Sequence, residues 1–259
     1  MGGVTFLGTG GAFSAGRRSN LALLIEGSDL RTLVEAGPAI MEQLARAHIS
    51  GAGIERIFVT HSHGDHTLGF PVLALNRLGA SSPLRVYAGR NTIATLEKLC
   101  ALAYPNFAHR FNLQWHELSE EGTDDVVLAP SVTLRTAMVP HPRGIPTLAA
   151  RWDLSGQSVT VATDTFPCDA TAELARGSDL LIHEASFSAT LQPDAAPAAH
   201  FHSTAREAGE IARQAGCLRL ALVHLGPEIS HRPDVLIEEA RAGTDLQVVV
   251  PEDGERICL

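Results

Sequence analysis

Six consecutive residues, His61-Ser62-His63-Gly64-Asp65-His66, follow directly on the apolar run Ile57 to Thr60, which reads as a buried strand running into a loop. One such histidine is ordinarily a solvated loop residue. Four ionisable groups packed this densely repel one another or go unsatisfied without a cation, so whatever fold forms must open a metal-binding space at this strand end. Imidazole nitrogens and carboxylate oxygens suit zinc or manganese. Gly64 lets the chain turn tightly, and alternation along an extended loop aims the first two histidines one way and the last pair another. Two adjacent metals satisfy that arrangement.

One cluster cannot fill two coordination shells, and His141, Asp164 and His224 each sit in a similar context, at the end of an apolar run. An aspartate between two cations lowers their mutual repulsion and fixes their spacing, and Asp164, in Ala-Thr-Asp-Thr, is the candidate bridge. The rest of the chain can support such a site. With 259 residues, 45% of them hydrophobic and 19% charged, a sizeable core is available, and residues 1–259 are expected to form one domain. The formal charge of -9, from 20 Lys+Arg against 29 Asp+Glu, disfavours a long nucleic acid and favours a small anionic substrate, since bound cations offset the negative charge locally.

Cys100, Cys168, Cys217 and Cys258 lie far apart, without metal-ribbon or redox spacing, and read as reduced, mostly buried thiols. No run of eighteen apolar residues and no leader-like start is present, so no membrane association and a cytoplasmic location are expected.

The order of elements indicates an α/β chain. A β-meander opens it, with Val4 to Leu7, a glycine-rich turn at Gly8 to Gly11, Leu21 to Ile25 and Leu33 to Val34. Helical spacing follows at Ile40, Met41, Leu44 and Ala45, then at Leu68 to Leu78 and Thr92 to Ala103, with strand-like Leu84 to Tyr87 between the last two. The segment Val126 to Ala150 is rich in alternating β-formers and starts a second sheet. Val159 to Ala162, Leu180 to Ile182 and Leu218 to Val223 read as short buried strands, Thr204 to Ala215 and Asp234 to Ala240 as helices, and Gln247 to Val250 as a closing strand. Pro193 to Ala199 suits a surface loop.

These residues carry a family resemblance. The segments FLGTGGAFSAGRRSN, HSHGDHTLGFPVL, LIHEASF, HFHSTAREAGEIA, LALVHLGP and PEDGERI occur in the order seen in metallo-β-lactamase-fold hydrolases, and specifically resemble the ribonuclease Z branch over nearly the whole chain. The resemblance implies a four-layer αββα sandwich. It also implies two metal ions, usually zinc, with manganese or iron as alternatives. His61, His63 and His141 would hold one metal, Asp65, His66 and His224 the other, and Asp164 would bridge them. By the same resemblance His202 and Glu184 pair near a scissile phosphate, and a homodimer is a possible assembly. Read from the residues alone, His202 lies at the start of a helix capped by Ser203 or Thr204, where backbone donors and the helix dipole favour an anion. His183 reads as structural.

Two departures from the branch bear on substrate. The interval from His141 to Asp164 is too short for the long flexible arm with which transfer-RNA-processing enzymes grip RNA, and Leu-Gly-Pro-Glu follows His224 in place of a Ser-x-Arg-Tyr pattern. The expected activity is therefore hydrolysis of a small or nucleotide-derived phosphodiester by a metal-bridging hydroxide, with Asp65 taking the nucleophile's proton and His202 serving the leaving or non-bridging oxygen. Transfer-RNA 3'-processing, sulfate-ester or lactone hydrolysis on the same site, and a non-catalytic metal-stabilised module are the alternatives. A di-iron redox site is disfavoured, because His63 stands where oxygen-reducing relatives carry glutamate.

Overall fold

Strands covered on both faces should read as unbroken apolar runs, and the sheets here account for the runs in the sequence. The computed structural model describes residues 2–13, 18–27 and 30–259. In the first sheet, β1 (Gly3–Gly8), β2 (Ala22–Glu26) and β3 (Arg31–Val34) form the antiparallel meander, and β4 (Arg56–Phe58), β5 (Leu84–Gly89) and β6 (Leu113–Leu118) continue it in parallel. The second sheet repeats this plan. The strands β7 (Thr123–Ala129), β8 (Val132–Val139), β9 (Thr147–Leu154) and β10 (Gln157–Ala162) are antiparallel, and β11 (Leu180–Glu184), β12 (Arg219–Val223) and β13 (Gln247–Val249) extend it in parallel. The last strand, β14 (Arg256–Cys258), returns to the first sheet and pairs antiparallel with β1.

Alternate residues of each strand separate into two apolar layers. Leu23 and Ile25 of β2 meet Leu180 and Ile182 of β11, with Trp152 edge-on to Phe58, in the core between the sheets. Ala22 and Leu24 face outward, toward α1 (Ile40–Arg46), α3 (Phe70–Asn76) and α4 (Arg90–Ala103), while α2 (Gly64–Thr67) is a single turn at the end of β4. Leu181, Leu220 and Leu222 pack outward on the other side, where α5 (Asp169–Leu174), α6 (Ala205–Gln214) and α7 (Pro233–Arg241) form the fourth layer. The architecture is the αββα sandwich.

Several details differ from the sequence reading. The His63 to His66 segment is not an extended loop, because Gly64–Thr67 closes into helix α2 with His63 at its N-cap. The helix expected over Leu68 to Leu78 is shorter, and Pro197–His200 closes the expected surface loop with a 3-10 turn. Strands β6 and β14 were not anticipated: β6 is interrupted by polar residues because it is an edge, and β14 is only three residues long. Cys100 and Cys217 are buried, but Cys168 is partly accessible and Cys258 is exposed. Residues 14–17 of the first resemblance segment lie outside the described residues. No helix among the described residues is long and apolar enough to cross a membrane.

Candidate metal centre

Parallel strands gather functional residues at their carboxyl ends, and this molecule does so from both sheets. The β4 end leads to His61, the β8 end to His141, the β10 end to Asp164, the β11 end to Glu184 and the β12 end to His224. All seven candidate ligands converge here. His61 Nε2 lies 2.9 Å from His63 Nδ1, which lies 3.2 Å from His141 Nε2. Around a second point, Asp65 Oδ2 lies 3.1 Å from His66 Nε2 and 3.5 Å from His224 Nε2. Asp164 touches both groups through different oxygens: Oδ1 is 4.0 Å from His61 Nε2, and Oδ2 is 3.3 Å from His66 Nε2 and 3.4 Å from His224 Nε2.

The donor set suits a pair of divalent cations. Tetrahedral zinc with bonds of about 2.0–2.1 Å holds neighbouring nitrogens about 3.3 Å apart, close to the separations among the three imidazoles. His66 Nε2 is buried with two carboxylate oxygens close by, yet neither lies where its N–H could donate, and it has no hydrogen-bond partner among the described residues. A nitrogen lone pair aimed at a shared point between carboxylates is a metal ligand's geometry.

Proton affinities divide the two groups. Burial, reinforced by neighbouring imidazoles, holds His61 well below the usual histidine range and lowers His141 to about 4, while burial also lowers His63. These three are neutral lone-pair donors at pH 7. Burial pushes His66 and His224 the same way, but the Asp164 carboxylate outweighs it and raises both, joined by Glu35 and Asp65 at His66 and by Asp65 and Glu184 at His224. Against the upward effect of burial, those imidazoles hold Asp65 and Asp164 below the usual carboxylate range. A cation entering the second group therefore displaces protons.

Beyond the seven, His202 Nδ1 donates to Glu184 Oε1 at 2.8 Å, and the His202 ring stacks on His224 with centroids 5.6 Å apart. Burial opposes protonation of His202, but the Glu184 charge and hydrogen bond win and raise it to about 9. Glu184 is pinned in turn by the backbone N–H groups of Thr165 and Ser186. Thr204, not Ser203, caps α6, through a reciprocal box with Glu207. His183 is fully buried with Nδ1 on the Glu184 carbonyl, away from the metal groups.

Three supporting residues escaped the sequence reading. Thr60 Oγ1 lies 2.8 Å from His61 Nδ1, Ser186 Oγ lies 3.0 Å from His224 Nδ1, and a buried Glu35 oxygen lies 3.4 Å from His66 Nδ1, as a charge contact rather than an aligned hydrogen bond. Each addresses the ring nitrogen opposite the one facing the cluster, the position that orients a ligating imidazole. A lone carboxylate closing the apolar run Leu33-Val34 was the available signal for Glu35. Backbone strain collects here as well: Glu35, Asp164, Phe201 and His224 all have positive φ, between 53° and 67°, at a cost of order 1–3 kcal/mol each.

Comparisons with known proteins identify the family and the fold. The beta-lactamase superfamily domain model matches residues 30–225. Ribonuclease Z of Methanothermobacter thermautotrophicus is 31% identical over 92% of this chain and 91% of its own length, and that of Haloferax volcanii is 30% identical over 98% and 93%. Among solved structures, the Bacillus subtilis metallo-β-lactamase fold protein YhfI superposes with a TM-score of 0.84 at 24% identity, covering 99% of this chain and 98% of its own. The short form of human tRNase Z does so with a TM-score of 0.80 at 23% identity, with the same coverages. The chain belongs to the metallo-β-lactamase-fold hydrolases, in their ribonuclease Z-like branch. The Methanothermobacter alignment spans 283 positions yet uses 92% of this chain's 259 residues, so about 45 positions are filled only by the relative. Here β8 and β9 are joined by residues 140–146, and β9 and β10 by Ser155 and Gly156 alone.

Proposed function

We propose that this hydrolase is a phosphodiesterase that takes a small, nucleotide-derived phosphodiester, with two zinc ions held by His61, His63 and His141 and by Asp65, His66 and His224, and with Asp164 shared. The observation that carries the reading is the His202–Glu184 pair standing against His224, one ring away from the second metal group. When bound, such a pair of cations supplies Lewis acidity toward phosphoryl oxygens and lowers the pKa of water toward neutrality. The protein groups do the rest. Asp65, already in contact with His66 and His224, accepts the proton of the attacking water. Glu184 holds Nδ1 of His202, which leaves Nε2 to donate a proton to the leaving oxygen. The helix α6 N-terminus lies two residues beyond His202 and favours an anion beside it.

Chemistry at phosphorus is supported by the names of the relatives, which include ribonuclease Z, a diphosphatase of the PhnP family and yeast PDE1. Small size is supported by the charge of -9 and by the short connections where an RNA-gripping insertion is absent. Transfer-RNA 3'-processing is the second reading, favoured by the identity to ribonuclease Z over nearly the full chain.

The test is turnover of bis(4-nitrophenyl) phosphate by protein reconstituted with zinc or manganese, with Asp65→Ala as the control for contaminating activity. Metal-dependent cleavage that the variant abolishes is expected. No cleavage by folded, fully loaded protein would overturn the reading in favour of sulfate-ester or acyl hydrolysis. Cleavage of precursor transfer RNA at a defined end, in preference to the small ester, would move it to the second reading.

A further inference from the structure

Two phenylalanines stand beside the candidate metal centre without joining any hydrophobic cluster among the described residues. Phe166 lies two residues after Asp164, and Phe201 immediately precedes His202. Both residues are half-buried rather than sealed in a core. Their ring centroids are 6.2 Å apart, and the Phe201 ring is 6.5 Å from that of His141, meeting it nearly edge-on at 73°.

Phe201 also has φ +61°, in the left-handed region that a bulky residue rarely adopts. Phe201 takes this conformation as the C-cap of the Pro197–His200 turn, a position more often held by glycine, so a bulky ring is placed there at a cost in strain. The surroundings hold it there. Ser203 Oγ donates to the Thr165 carbonyl, tying the segment that carries Phe201 to the one that carries Phe166, and the Phe201 and His202 amides donate to Ala198 and Pro197. The segments that carry the two rings are thus tied to each other, and each adjoins a partner of the neighbouring pair: Thr165, whose amide donates to Glu184, and His202 itself.

We propose that Phe166 and Phe201 form the stacking platform that receives the unpaired nucleobase of the nucleotide-derived ester. The proposal rests on the phosphodiesterase reading and assigns the residues that recognise the base. An aromatic face accepts any base, since every base has a π-face, and stacking alters affinity about fivefold to a hundredfold. It also suits an acidic protein, because it gains affinity without cationic side chains.

The experiment is calorimetric titration of the full, zinc-loaded chain with adenosine 5'-monophosphate and with ribose 5-phosphate, which lacks the base. The nucleotide is expected to bind at least fivefold more tightly, the ratio to collapse toward one in Phe166→Leu/Phe201→Leu, and to be kept in Phe166→Tyr/Phe201→Tyr, with thermal melting to confirm folding. A wild-type ratio within twofold of one, no measurable nucleotide binding, or a ratio that survives both leucines overturns the platform. The parent reading is scored separately by turnover. Ester cleavage without a base-dependent ratio removes the platform alone, and a ratio without cleavage retains the platform while removing the phosphodiesterase.

Discussion

At the first metal position His63 and His141 are only half-buried and burial lowers the proton affinity of all three imidazoles, whereas at the second His66 and His224 are buried beside carboxylates that raise theirs. Supporting contacts divide less cleanly, since the Ser186 hydroxyl backs His224 of the second group. Thr60, a neutral hydroxyl, backs His61, while Glu35, a buried carboxylate, stands behind His66. The comparison shows how one fold gives two unequal groups of candidate ligands; on the proposed assignment the neutral set would load metal without losing protons, and the acidic set would exchange protons for metal.

Removing the residue that the two positions share tests that comparison most severely. Asp164→Asn is expected to lower turnover by at least the roughly thousandfold that loss of one electrostatic stabiliser can cost, and to reduce bound zinc below two equivalents by elemental analysis. A variant that keeps two equivalents would show that the positions are independent. His202→Ala is expected to lower kcat by about a hundredfold or more while zinc content stays at two, because the role proposed for the ring is at the leaving group rather than at the metals. An equal fall in zinc content would make His202 a ligand of the second position instead.

The supporting residues separate the positions further. Glu35→Gln is expected to weaken one of the two zinc equivalents by about tenfold to a hundredfold in chelator competition, leaving the other near its wild-type value. Thr60→Val is expected to weaken the opposite equivalent by about tenfold, the lower end of such effects. The same equivalent weakening in both variants would erase the distinction. A smaller effect, on stability alone, is expected away from both positions. Asp253 accepts hydrogen bonds from the Thr9 amide and hydroxyl and the Ser19 amide, so Asp253→Ala should cost about 1–3 kcal/mol in denaturant unfolding.

Much of this was legible along the chain. Apolar runs such as Leu180 to Ile182 announced strands covered on both faces, and the residues that follow them are where the seven ligand candidates sit. Edge strands were not legible. β6 alternates polar and apolar residues too weakly, and β14 gains its identity only by pairing with β1 across the whole length of the chain. The helical turn at Gly64–Thr67 was misread as extended because four residues carry too short a period to choose between helix and loop.

Residue type and strand-end position therefore picked out, without coordinates, the candidate ligands that the fold brings together, since chemistry is local to the residue. Only tertiary structure decided how they are shared. The two oxygens of Asp164 face different groups and Glu35 stands behind His66 because strands distant in sequence end at one point, and Phe166 meets Phe201 because the segment before α6 returns to the end of β10. Distances of this kind depend on sheet register and packing between the two sheets, which no spacing along the chain records.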